Sequence, residues 1–247
     1  VGSNIANALL VTGTLALLSP IVAGPARRRF DSIVMIGSSF AFVLLAWDRR
    51  LATIEGFLLL LGLSLFMYRQ VRIGKQGEAP RAGRSDQLEW VLGLPSRTWM
   101  IILLIAVGAI WLPIGARLLV EASAEIALHF GISEAVIGLT LVALGTSLPE
   151  LATVVIATAR QQLDVALGNV IGSNILNILA IMGTAAVLSP EPIPIPDQFF
   201  WTDFPVMVVS ACAIGTFVIL GRRLGRRAGG VLLGAYGLYV AFLFGLA

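Results

Sequence analysis

Apolar residues run in long stretches along this chain, and polar residues gather in the gaps between them. The stretches cover residues 5–23, 33–47, 51–68, 99–128, 133–159, 165–188, 204–220 and 228–247. An α-helix needs about 20 residues to cross the hydrocarbon of a bilayer, and several of these runs approach that length. The run 33–47 is short, and its place in the regular alternation is what makes it a span. The pattern predicts an all-α polytopic membrane protein with eight spans. The one substantial polar stretch, 69–98, is rich in Gly, Arg and Pro and reads as a linker between two halves.

Composition strengthens this picture. Of 247 residues, 57% are hydrophobic and 13% charged, with a mean hydropathy of +0.92. A soluble domain carries about a quarter charged residues. The net charge of +3 could suggest nucleic acid, but the placement of the basic residues excludes that reading. Fourteen of the 17 lie in odd-numbered connections, including Arg27–Arg29, Arg69, Arg72, Lys75, Arg160 and the Arg222–Arg227 cluster. Only Arg49 and Arg50 lie in an even one, and Arg117 lies within a span. By the positive-inside rule the odd connections are cytoplasmic, so 69–98 faces the cytoplasm and both ends of the chain face outward. Such a split is expected of a prokaryotic inner membrane protein. The single cysteine, Cys212, and single histidine, His129, can build neither a disulfide framework nor a His/Cys metal cluster.

The two halves are related in sequence. Gly2-Ser3-Asn4-Ile5-Ala6-Asn7 matches Gly172-Ser173-Asn174-Ile175-Leu176-Asn177 at an offset of 170 residues. Gly13-Thr14 matches Gly183-Thr184, and Ser19-Pro20 matches Ser189-Pro190, at the same offset. The copies occupy the first and sixth spans. Five helices apart, they cross the membrane in opposite directions, which is the inverted-repeat plan of secondary transporters with a site near the midplane.

Candidate chemistry gathers in the fifth and sixth spans. Gly145-Thr146-Ser147-Leu148-Pro149-Glu150 interrupts an apolar run, and Pro149 removes the helical partner of the Gly145 carbonyl, so a broken helix is expected there. Glu150 is the one acidic residue placed squarely mid-span, and a carboxylate at that depth is costly enough to imply function. Free carbonyls, two hydroxyls and a carboxylate form an all-oxygen set suited to hard cations such as calcium and sodium. On the sixth span Asn169, Ser173 and Asn177 recur at i, i+4, i+8 and share one helical stripe. That stripe reads as the second wall of a cation site, with Ser3 and Asn7 as its equivalent on the first span; Asn4 and Asn174 point away from it, toward supporting or packing roles.

At these residues the chain resembles the α-repeat of the calcium/cation antiporter superfamily, most of all the prokaryotic sodium/calcium exchangers. The resemblance rests on Gly138-Leu139-Thr140 through Glu150, followed by Gly168-Asn169-Val170-Ile171-Gly172-Ser173-Asn174-Ile175. It implies an inverted-repeat transporter with broken helices and ten spans, of which eight are present here. It also implies a ligand set: the Ala143 carbonyl, Thr146, Ser147, Glu150, Ser173 and Asn177, with Ser3 and Asn7 from the other copy. Some relatives, including many potassium-dependent exchangers, carry Asp where Asn177 stands, and a neutral Asn favours sodium coupling over potassium dependence. The resemblance further assigns the long fourth span, with Pro113 and Gly115, to a pair of helices that slides across the ion-binding core.

The expected organisation is three spans of a first repeat in 1–68, a linker over 69–98, and a five-span second repeat in 99–247 with its ion-binding motif in 143–177. The expected activity is calcium/sodium antiport by alternating access, with proton/calcium antiport as the alternative and a passive channel a weaker one. The ions are cargo, so no cofactor is expected, and the remaining partner is the lipid bilayer. An intramembrane protease would need a Ser/His or paired-Asp constellation that the spans lack. The chain is expected to be monomeric. It is also expected to lack about two upstream helices, since the second motif copy is preceded by two spans and the first by none.

Overall fold

The computed structural model describes residues 1–21, 26–77, 98–131 and 134–245. Eight helical passes account for the eight apolar runs. They are α1 (Gly2–Leu18), α2 (Ala26–Leu45), α3 (Thr53–Gly77), α4 (Thr98–Phe130), α5 (134–159), α6 (Leu163–Leu188), α7 (Phe199–Ile219) and α8 (Arg226–Gly245). Among the described residues five segments are long and apolar enough to cross a membrane unaided: Thr53–Ile73, Gly138–Ala159, α6, α7 and α8. Exposed apolar side chains such as Leu61, Leu65, Val209 and Leu238 cover the outside, as lipid-facing helices require.

Two boundaries differ from the sequence reading. The second helix begins at Ala26 and takes in Arg27–Arg29, which the sequence pattern places in a connection. The third runs to Gly77, so residues 69–77 of the expected linker are helical, while 78–97 lie outside the described residues. Arg, Gln and Lys are good helix formers and are favoured by the dipole at a helix C-terminus, so polarity alone did not end the helix.

The expected break at Pro149 is also displaced. Residues Ala143–Ala159 form one α-helix through Pro149, whose ring lies on an exposed face. The irregularity precedes it as a π turn, Gly138–Val142. Matching π turns occur at Asn7–Val11 in α1 and Asn177–Met182 in α6. A π turn shifts the ladder from i+4 to i+5 within a continuous helix, and such turns concentrate at functional sites.

Several contacts display the inverted repeat in three dimensions. Ile21, before α2, exchanges both backbone hydrogen bonds with Leu224, before α8, at 3.0 and 2.9 Å. At the other end of α2, β1 (Arg50–Leu51) pairs antiparallel with β2 (Ile193–Pro194), with Leu51 opposite Ile193. Each pairing joins the two repeats, and a helix length separates them, so they clasp opposite ends of the bundle. Helix crossings follow the same symmetry. A Cβ on Gly229 would stand 2.8 Å from the Gly13 carbonyl, and one on Gly56 would stand 2.9 Å from the Gly183 carbonyl. These small residues let α8 close on α1 and α3 close on α6. Ser38 donates to the Met35 carbonyl and Ser210 to the Met207 carbonyl, a matching pair of bonds in α2 and α7.

The core lies where α1, α2, α5, α6 and α7 converge, around Ile5, Leu15, Met35, Ile171, Ile175 and Met207, all 0–1% exposed. In contrast α4, 33 residues and so about 50 Å long, packs among the described residues chiefly against 134–142. Much of its described surface is exposed, Trp99 and Trp111 included.

Candidate ion-binding site

The core brings the motif-bearing helices against one another. Gly2 makes the closest approach: a Cβ there would meet Ala143 Cβ at 2.7 Å and the Leu139 carbonyl at 2.9 Å. One turn of α1 therefore lies directly on the π turn of α5. Around that crossing stand the candidate residues.

Glu150 and Ser173 meet, with Ser173 Oγ donating to Glu150 Oε1 at 3.2 Å. The other carboxylate oxygen, Oε2, is buried and has no hydrogen-bond partner among the described residues. Thr146 bridges the two repeats. Its Oγ1 lies 2.7 Å from Ser3 Oγ, and it is also within hydrogen-bonding distance of the Ala143 carbonyl at 3.1 Å and the Val142 carbonyl at 3.0 Å. Ser147 is 2% exposed and its Oγ has no partner among the described residues. Asn7, 1% exposed, has neither amide atom partnered. Asn177 donates through Nδ2 to Asn4 Oδ1 at 2.9 Å. So the structure links Ser173 with Glu150 and Ser3 with Thr146, while Asn177 reaches Asn4, a residue outside the candidate set. Asn169, on the same stripe, has a buried Nδ2 without a partner among the described residues.

Buried polar atoms are nearly always hydrogen-bonded, so a concentration of unpartnered ones calls for an explanation. Glu150 Oε2, Ser147 Oγ and Asn7 Oδ1 are all oxygens, and their chemistry suits a hard cation that takes 6–8 oxygen ligands. Among the described residues no three His, Cys, Asp or Glu side chains converge, so the donor set is hydroxyls, amides and carbonyls around one carboxylate.

Sequence reasoning missed the most deeply buried carboxylate among the described residues. Asp203 ends the π turn Phe199–Asp203 that opens α7, is 0% exposed, and accepts a hydrogen bond from Tyr239 of α8 at 2.7 Å. The apolar run starts at 204, which leaves Asp203 in a connection. The signal available was the aromatic stretch Phe199-Phe200-Trp201 before it. This pair ties α7 to α8, and the other oxygen of Asp203, Oδ2, is buried without a partner among the described residues.

Comparison with known proteins settles the family. The sodium/calcium exchanger protein family matches residues 1–72 and 100–245 of the chain. The chain belongs to the sodium/calcium exchanger family. It is 32% identical to the sodium/calcium exchanger MaX1 of Methanosarcina acetivorans, over 99% of this chain and 78% of that protein. It is 38% identical to a protein of Alkalimonas amylolytica named provisionally as the antiporter CaxA, over 98% of this chain and 76% of that one. The solved structure of the sodium-calcium exchanger NCX_Mj superposes with a TM-score of 0.68 at 32% identity, covering 97% of this chain and 74% of its own. As a member of this exchanger family the chain is an integral membrane protein of the calcium/cation antiporter superfamily, a transporter rather than an enzyme.

Proposed function

We propose that this protein exchanges calcium for sodium across the membrane by alternating access, with Glu150 as the charged ligand of this repeat. The supporting observation is the Glu150 carboxylate, which is held by Ser173 through one oxygen and leaves the other buried, with no partner among the described residues. A carboxylate at that depth is stabilised by a bound cation or a proton, so its presence implies a cation route. Thr146, Ser147, Ser173, Asn177, Ser3, Asn7 and the Ala143 carbonyl supply neutral oxygens around it. Calcium and sodium then compete for overlapping ligands, and occupancy by one excludes the other. The two inverted halves, 1–68 and 99–247, lie on either side of 69–98 in the chain, and the long α4 belongs to the pair of helices that slides over the site.

Calcium uptake into vesicles holding the natural full-length protein tests this reading. An imposed outward sodium gradient should drive uptake, and a proton gradient of the same size should not. Uptake driven by the proton gradient alone would assign the protein to proton/calcium antiport. Calcium flux indifferent to either gradient would make it a channel.

A further inference from the structure

The asparagines outside the candidate ligand set carry an inference that rests on the reading of Asn177 as a cation ligand. Asn4 is 3% exposed and both ends of its amide are engaged across the repeat boundary. Its Nδ2 donates to the backbone carbonyl of Asn174 at 3.3 Å, beside the π turn that starts at Asn177. A carbonyl can only accept, so this contact fixes which way the Asn4 amide faces. Asn4 Oδ1 is thereby turned to Asn177, which must answer with its own donor, and it does at 2.9 Å. With Nδ2 of Asn177 committed to Asn4, its Oδ1 faces the other way and is free to coordinate. The orientation passes from a backbone carbonyl, through Asn4, to the oxygen of Asn177.

The contact is not a fixed consequence of the helix crossing. The repeat relates Asn4 to Asn174 and Asn7 to Asn177. The equivalent bond would run from Asn7 Nδ2 to Asn174 Oδ1. Both atoms are buried and neither has a partner among the described residues, while Asn174 Nδ2 lies 3.6 Å from Met35 Sδ. Two crossings of the same sequence thus differ, and only one holds its asparagine in a defined orientation.

We propose that Asn4 is a positioning residue of the exchanger, which sets the Asn177 amide so that its carbonyl oxygen is presented to the transported cation. The neutral wall of the site then depends on a residue of the opposite repeat, which no ligand-counting argument would include.

Calcium binding to the purified full-length protein, measured by titration calorimetry at fixed sodium, tests the proposal through a mutant cycle. Asn4→Leu removes the acceptor and should weaken calcium binding about tenfold, the equivalent of about 1.4 kcal/mol for one oriented polar contact. Where Asn4→Leu does not fold, Asn4→Ser, too short to reach Asn177, carries the same expectation. In an Asn177→Ala background the Asn4 substitutions should have no further effect, because there is no amide left to orient. An Asn4→Leu effect of equal size in both backgrounds, or no effect in the parent, overturns the positioning role. If Asn177→Ala leaves calcium binding unchanged, the ligand assignment itself is wrong. If Asn177→Ala weakens binding and Asn4→Leu does not, the ligand stands and the positioning proposal falls.

Discussion

At the scale of single residues the protein concentrates its cost in Glu150. Glu150→Gln preserves shape and the Ser173 contact but removes the charge. Taking one member from a buried charge pair typically costs about 3–5 kcal/mol, so calcium binding should weaken by roughly a hundredfold or more. The variant should still fold, since Gln is isosteric and neutral. Calcium exchange by Glu150→Gln at parental rates would refute the site. Asn177→Asp is expected to act differently. The new carboxylate faces Asn4 Oδ1, which now accepts from Asn177, so Asn4 must turn its amide and surrender the bond to the Asn174 carbonyl. A second carboxylate coupled to Glu150 should raise binding of monovalent ions or protons. Sodium, potassium and pH dependence of flux measures the change, and three unaltered profiles would place Asn177 in helix packing.

At the scale of elements the glycine crossings decide how closely the repeats approach. Gly229→Ala sets a methyl 2.8 Å from the Gly13 carbonyl, and backbone cannot yield as a side chain can. Overpacking of this kind costs about 1–3 kcal/mol, which for a protein of this size lowers the melting temperature by roughly 2–4 °C per kcal/mol. Gly37→Ala in α2 meets nothing within 4 Å and should be neutral or slightly stabilising, because Ala is the better helix former. Thermal unfolding of the purified protein in detergent compares the two. Equal melting temperatures for both variants would mean that the α1–α8 crossing is looser than described. The π turns belong to this scale as well. Two of the three that border the candidate site, Asn7–Val11 and Asn177–Met182, open on the paired asparagines of the repeat. No local propensity separates a π turn from an α turn, so the sequence offered only Pro149 as a breaker, and the helix passes straight through it.

At the scale of the whole molecule the alternation of helices makes orientation a single choice. The 14-to-2 division of basic residues between odd and even connections predicts that the end of α3 faces the cytoplasm and the end of α8 the outside. Cysteines introduced at Lys75 and Gly245 in a Cys212-free background should therefore label from opposite faces of sealed cells. Labelling of both from one face would change the number of spans. The two clasps, Ile21 with Leu224 and Arg50–Leu51 with Ile193–Pro194, would then lie on opposite sides of the membrane.

What the sequence determined by itself was whatever depends on spacing along one chain. Eight spans follow from apolar run length, because no span can leave its backbone unpaired in lipid. The inverted plan follows from Gly2–Asn7 against Gly172–Asn177, since an offset of five helices reverses direction whatever the packing, and the family resemblance rests on the motifs in 138–150 and 168–175. The Glu150 segment was legible because a mid-span carboxylate has few structural excuses. Tertiary structure alone decided which side chains meet. Ser3 reaches Thr146 because Gly2 lets α1 lie against α5, Asn177 reaches Asn4 where α6 crosses α1, and a contact across 143 or 173 residues leaves no periodic trace in the sequence. It also decided that Asp203 is buried, because its environment is built by Tyr239 from a different helix.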